Sequence, residues 1–107
     1  MKVLSSQEEL LMLAILALGK NAYGVTIRRH VPKVTGKEWS IGAVYDPLYR
    51  LEKNGYIRSF LSEPTRERGG RAKSIFQVTP EGKEALVAHK NVRDKLWDGL
   101  TRLALGK

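Results

Sequence analysis

The chain has 107 residues, which suits one domain and leaves little room for a deep catalytic cleft beside a core. Nineteen Lys and Arg against 11 Asp and Glu give a net charge of +8, so the expected partners are polyanions: nucleic acid, an anionic membrane or an acidic protein. The sequence contains no Cys, which excludes disulfides, thiolate metal sites and cysteine nucleophiles.

The N-terminal segment predicts an apolar core helix. Ser6 and Glu9 have the spacing of a capping box, in which the serine side chain and the glutamate side chain satisfy each other's backbone amides. Leucine and alanine then recur with helical spacing as far as Gly19, which suits a helix end. We therefore expect a helix over about residues 6–18.

A second helix is predicted from about Gly24 to Thr35, closed by Gly36. Pro32 falls inside it and is expected to kink or shorten it, because proline lacks the amide hydrogen and clashes with the preceding turn. Three apolar side chains are expected to face inward: Val25, Ile27 and Val31.

The third helix is predicted over about residues 40–54, with Ser40 as its N-cap and Gly55 as its stop. Spacings of three and four place one set of residues on the core face: Ile41, Val44, Leu48 and Leu51. The opposite face is expected to carry Gly42, Ala43, Asp46, Tyr49, Arg50 and Lys53.

The period then changes to that of two short strands, at about residues 56–61 and 74–78. The loop between them, residues 64–73, contains four basic residues and one acidic residue, a net charge of +3, around Gly69 and Gly70. The four cations are Arg66, Arg68, Arg71 and Lys73. Such a loop either lies on a phosphate backbone, inserts arginine into a minor groove, or is a solvated surface loop.

A last helix is predicted from Pro80 to about Leu105, with Thr79 as its N-cap. Its apolar stripe consists of Val92, Leu96, Leu100 and Leu103, with Trp97 at the edge. The stripe needs a partner surface, either helix one of the same chain or a second copy. We expect both, with the start of the helix packed internally and its end in a homodimer. Residues 1–79 are thus expected to bind DNA and residues 80–107 to dimerise.

Three helices, a hairpin and a long helix predict a mainly α protein with a small β-hairpin, a winged helix-turn-helix plus a C-terminal dimerisation helix. A helix fits the major groove of B-DNA, and the recognition helix of this motif reads bases near its N-terminus. Tyr23 and Tyr45 each suit either the core or a phosphate contact; core is the preferred reading for Tyr23. The predicted interface with double-stranded DNA comprises Tyr23, Ser40, Gly42, Ala43, Tyr45, Asp46, Tyr49, Arg50, Lys53, Arg66, Arg68, Arg71 and Lys73.

Three ordered motifs carry a resemblance to a known family. They are Tyr23-Gly24; Ser40-x-Gly42-x-x-Tyr45-x-x-Leu48-x-Arg50-Leu51-Glu52-x-x-Gly55-Tyr56-Ile57; and Gly69-Gly70-Arg71-x-Lys73-x-x-Phe76-x-Val78-Thr79-Pro80-Glu81-Gly82. Together they resemble the PadR family of bacterial transcriptional regulators, in its compact branch with a short C-terminal region. The resemblance implies a winged helix domain that dimerises through the C-terminal helix and binds operator DNA, usually as a repressor. It also implies that the ligands, where known, are small aromatic or drug-like molecules that relieve repression. The two-fold symmetry of the expected dimer predicts a palindromic operator. Trp97 is the candidate residue for stacking on such an effector.

The sequence departs from the family pattern in two places. Many relatives have proline directly after the tyrosine of helix three, whereas here Asp46 intervenes and the proline is Pro47. Pro32 in helix two is also unusual.

The alternatives are a protein–protein adaptor on a winged helix, an RNA-binding protein and an enzyme. The basic wing argues against the adaptor, and the strands lack the aromatic platform of RNA-recognition domains. His30 and His89 lie on different predicted helices without a metal-spaced partner, and no nucleophile, phosphate-loop or dinucleotide motif occurs. No cofactor is expected. We read no signal peptide and no membrane-spanning run, and expect a cytoplasmic protein.

Overall fold

The computed structural model describes residues 3–62 and 73–103. In chain order the elements are α1 (Ser6–Leu18), a 3-10 turn (Gly19–Asn21), α2 (Gly24–Thr35), α3 (Ile41–Lys53), β1 (Ile57–Leu61), β2 (Ser74–Val78) and α4 (Pro80–Leu103). The predicted element order and mainly helical fold are confirmed.

The capping box of α1 lies one residue earlier than predicted. The Glu8 amide donates to Ser5 Oγ at 3.1 Å, and the Ser5 amide donates to Glu8 Oε1 at 2.8 Å. Ser6 is therefore the first helical residue and not the cap. The shift by one residue turns Glu9 away from the cap, and its side chain pairs instead with α4.

One apolar core joins the three N-terminal helices, the hairpin and the first turns of α4. Its largest fully buried side chains are those of Leu11, Met12, Ile27, Val44, Leu48, Leu51 and Ile57. Phe76 and Val78 bring β2 into this core, and Leu86 brings in α4. The hairpin and α4 are thus attached to the helix-turn-helix by burial of apolar surface.

Two residues predicted to face the core are exposed. Val25 is half exposed because the inward stripe of α2 is narrower than predicted and consists of Ile27 and Val31. Ile41 is 57% exposed because it lies in the first turn of α3, beyond the reach of the core that covers Val44 and Leu48.

Neither internal proline ends its helix. α2 continues past Pro32 to Thr35 and closes at Gly36, which has the left-handed conformation that favours glycine. α2 is therefore not shortened at Pro32, and the alternative expectation of a kink stays a prediction. α3 likewise continues past Pro47, whose ring is buried in the interior. Burial of that ring offsets part of the cost of the missing helical hydrogen bond.

The hairpin is a regular antiparallel pair, with Ile57 opposite Val78 and Leu61 opposite Ser74. β2 is also attached to the segment before α2, since the Phe76 amide donates to the Ala22 carbonyl at 2.7 Å and Tyr23 forms a bridge with Ile75. These contacts fix the base of the wing relative to the N-terminus of α2.

Candidate nucleic-acid interface

The exposed face of α3 consists of two neighbouring stripes. Ile41, Tyr45 and Tyr49 are four residues apart and form the first, and all three are exposed. Gly42 and Asp46 form the second, in which Asp46 Oδ2 lies 3.6 Å from the position a Cβ of Gly42 would occupy. The N-terminal part of α3 therefore presents apolar, aromatic and acidic groups.

Tyr45 packs against α2 at a glycine. A Cβ on Gly24 would lie 1.9 Å from the Tyr45 hydroxyl oxygen, so the ring takes this position only because residue 24 has no side chain. The contact explains the Tyr23-Gly24 pair of the sequence motif, for which the sequence alone supplies no physical reason. It places the Tyr45 hydroxyl at the N-terminus of α2.

Tyr23 connects this point to the wing. Lys73, the last residue of the wing loop, has its Nζ 4.1 Å from the centroid of the Tyr23 ring, a cation–π geometry. Lys73 is held across the hairpin, because its amide donates to Ser62 Oγ at 2.9 Å and its carbonyl accepts from the Ser62 amide at 2.8 Å. Lys73, Tyr23, Gly24 and Tyr45 thus form a continuous chain of contacts from the wing to α3.

The other predicted contact residues have distinct surroundings. Ser40 caps α3, since its Oγ accepts from the Ala43 amide at 3.1 Å, and Ala43 is half-buried. Arg50 leans toward α1, where its Nε lies 3.9 Å from the buried Glu8. Tyr49 and Lys53 are exposed, and the predicted wing residues Arg66, Arg68 and Arg71 lie outside the described residues.

The interface predicted from the sequence did not include the cations of a basic groove beside α3. It has a volume of about 600 Å³, and its charged lining residues are Arg28, Arg29 and Lys33 of α2 and one acid, Glu38. Trp39 and Tyr45 also line it. The sequence signal is the spacing of these cations on the outward side of α2. Their place beside α3 becomes evident only from the packing of the two helices.

The first half of α4 packs on the chain's own α1. Leu86 is buried there, and Arg93 Nη1 donates to Glu9 Oε1 at 2.8 Å. Apolar residues on both sides of Arg93 are exposed, among them Val87 at 60%. Leu96, Trp97 and Leu100 are 70%, 55% and 47% exposed, and Val92 is 38% exposed. Leu103 closes α4, with its side chain outside the described part.

Trp97 lines a second groove, of about 520 Å³, between α1 and α4. Its apolar walls are Leu13, Leu16, Leu86 and Val87, and its rim carries both acidic and basic residues.

Within residues 3–62 and 73–103, no cluster of three or more His, Asp or Glu side chains is placed to hold a metal ion. None of the described helices combines the length and apolar character needed to cross a membrane.

Solved structures of regulators share this fold. A PadR family transcription regulator from Clostridium difficile superposes with a TM-score of 0.70 at 22% identity, over 91% of this chain and 97% of that one. A transcriptional regulator from Clostridium thermocellum gives 0.70 at 23% identity, over 95% and 99%. A PadR-like transcriptional regulator from Bacillus cereus gives 0.70 at 20% identity, over 92% and 93%. At these identities the likeness shows the winged helix fold.

Sequence comparison adds the family. No curated protein matches the chain in sequence. The model of the PadR-like family of transcriptional regulators matches residues 12–88, which span α1 through the start of α4 and include both the exposed face of α3 and the hairpin. The chain therefore belongs to the PadR-like family of transcriptional regulators.

Proposed function

We propose that the protein binds double-stranded DNA sequence-specifically as a homodimer, with α3 in the major groove and the wing on the backbone or in the minor groove. The observation that carries this proposal is the chain of contacts Lys73–Tyr23–Gly24–Tyr45. It puts the base of the basic wing and the exposed face of α3 on one flank, so that one duplex can touch both. The chain's charge of +8 favours that contact.

The first nine residues of α3, from 41 to 49, contain no cation, and further cations lie beside this part of the helix. Arg28, Arg29 and Lys33 lie along the groove beside α3, and Lys73 lies at the wing. Phosphate contacts fix the register of a protein on the duplex, whereas sequence is read at the base edges. We assign these cations to the phosphate backbone, together with Arg66, Arg68 and Arg71 from the sequence.

We infer that the dimer forms through the second half of α4, because Leu96, Trp97 and Leu100 are exposed together in the single chain. A two-fold dimer presents two copies of α3 to half-sites about 34–36 Å apart. We further propose that a small aromatic effector stacks on Trp97 in the groove between α1 and α4 and relieves repression. Quenching of tryptophan fluorescence that is lost in Trp97→Phe checks this part.

The test is a mobility-shift titration with a duplex selected from a random-sequence pool. We expect a palindromic sequence to be selected and the binding constant to fall steeply with salt, by a slope of about −0.9 for each neutralised phosphate on logarithmic axes. The variant Arg66→Ala/Arg68→Ala/Arg71→Ala removes three of the wing's four cations. It should bind more weakly and show a shallower slope, by about 0.9 for each lost phosphate contact.

The matched control, Lys20→Ala/Lys83→Ala/Lys90→Ala, removes the same charge from positions outside the helix-turn-helix and the wing. Equal effects of the two triple variants would remove the wing from the mechanism. Failure of the unmodified protein to select any duplex would favour the protein–protein adaptor.

A further inference from the structure

We propose that Ile41 reads the C5-methyl group of a thymine in each half-site and is a specificity-determining residue of this regulator. The inference rests on the proposed function and deepens it, because it names what the N-terminal end of α3 recognises. It starts from the finding that Ile41, which continues the apolar spacing of the core face, lies outside the core.

Ile41 is 57% exposed, while the residues that follow it on the same spacing, Val44 and Leu48, are buried. The fold thus gains little from a large aliphatic side chain at this position. Its orientation is nevertheless fixed. The Ser40 cap holds the first turn through the Ala43 amide at 3.1 Å, and a β-branched side chain in a helix has one strongly preferred χ1. A rigid apolar group therefore projects from the end of the helix that reads bases.

The composition around Ile41 excludes the usual contact to guanine. From residue 41 to residue 49, α3 contains no Lys or Arg, the side chains that bind the guanine O6 and N7 edge. The first cation of α3, Arg50, leans toward Glu8 on α1. The groups left to meet base edges are apolar, aromatic and acidic, and the apolar contact in the major groove is the thymine methyl.

Gly42 lets this end of the helix approach the bases. It has no side chain, and the nearest atom to the position of its missing Cβ is Asp46 Oδ2 at 3.6 Å. Ile41 is therefore the outermost aliphatic group of the first turn. Asp46, on the neighbouring stripe, is an acceptor suited to the amino group of cytosine.

The test replaces thymine by deoxyuridine, one palindromic pair of positions at a time, in the selected operator. This change removes only the methyl group and keeps base pairing. For the unmodified protein we expect one pair of positions at which affinity falls by about four-fold per half-site, the value of one buried methyl-sized group. In Ile41→Ala the thymine operator should bind more weakly and the difference between thymine and deoxyuridine at that pair should disappear.

The control variant is Val34→Ala, at a position whose 62% exposure matches that of Ile41. Val34 lies near the end of α2 in a groove against α1, so its loss should leave the thymine preference unchanged. Operator binding without any methyl-sensitive position, or a preference that persists in Ile41→Ala, would overturn the inference while leaving the proposed function in place. Absence of duplex binding by the unmodified protein would reject both.

Discussion

Two glycines show how single positions set the relation between elements. At Gly24 the atom that a Cβ would meet is the far end of the exposed Tyr45 side chain, which can rotate away. At Gly82, in the first turn of α4, a Cβ would lie 2.1 Å from the Tyr56 carbonyl oxygen and 2.8 Å from Val78 Cγ1. Backbone cannot rotate away, so Gly82 fixes how closely α4 approaches the hairpin.

Gly82→Ala is accordingly expected to destabilise the protein by about 1–3 kcal/mol, the usual cost of overpacking. The matched variant Gly42→Ala also changes a first-turn glycine, but its new methyl meets only Asp46 Oδ2 at 3.6 Å. Gly42→Ala should stabilise α3 by up to about 1 kcal/mol through helix propensity, yet weaken operator binding because the methyl separates the helix from the bases. Urea denaturation and mobility shifts measure the two effects. Similar losses of stability in both variants would show that the Tyr56 contact is not the cause.

At the scale of elements, two consecutive glutamates on α1 connect this helix to α3 and to α4. Glu8 caps α1 and lies 3.9 Å from Arg50 of α3, while Glu9 accepts from Arg93 of α4 at 2.8 Å. His89 Nε2 also lies 3.8 Å from Glu9. Among the described residues, His89 Nδ1 is the buried side-chain atom that has no hydrogen-bond partner. The contact that orients α4 on the domain thus depends on one nearly buried carboxylate.

Glu9→Ala should lower the free energy of unfolding by about 1 kcal/mol, because Glu9 is nearly buried while its partner Arg93 is half exposed to solvent. The control is Asp94→Ala, which breaks the exposed Lys90–Asp94 pair of 2.7 Å within α4. An exposed i, i+4 pair contributes only about 0.3–0.5 kcal/mol. Both are measured by urea denaturation at one protein concentration, since the proposed dimerisation would shift the apparent stability. Equal losses would mean that Glu9 does not hold α4 in place.

The elements were more predictable than the contacts between them. Periodicity and capping residues place the bounds of α2 and of both strands correctly to within about one residue, because these are local signals. The prediction that Ile41 faces the core was wrong, because helical spacing does not indicate where the core ends. The predicted N-cap of α1 was wrong by one residue, because the adjacent Ser5 and Ser6 can both cap a helix. The contacts Gly24–Tyr45 and Lys73–Tyr23 join residues 21 and 50 positions apart, so no local pattern reveals them.

At the scale of the molecule, α4 gives the chain an elongated shape, 58 by 29 by 21 Å. A helix of 24 residues is about 36 Å long, and only its first half is covered by the chain's own core. Exposed apolar side chains lie on both sides of Arg93 in α4, from Val87 to Leu100. A second copy that covers these side chains would also set the distance between the two recognition helices. The dimer interface would therefore determine the spacing of the half-sites in the operator.

Leu96→Glu/Leu100→Glu should therefore convert the protein from a dimer of twice 12.0 kDa to a monomer, because two carboxylates would have to be desolvated in the interface. Light scattering measures the mass. The control Val34→Glu places one such carboxylate at a similarly exposed site, 62% against 70% for Leu96, and should remain dimeric. The effect of losing the dimer on DNA binding can be measured separately. Scrambling one half of the palindrome should weaken binding by the unmodified protein strongly but by the monomeric variant little, because the monomer engages one half-site at a time. A variant that stays dimeric, or one that is monomeric yet still requires both half-sites, would place the dimer interface elsewhere than on α4.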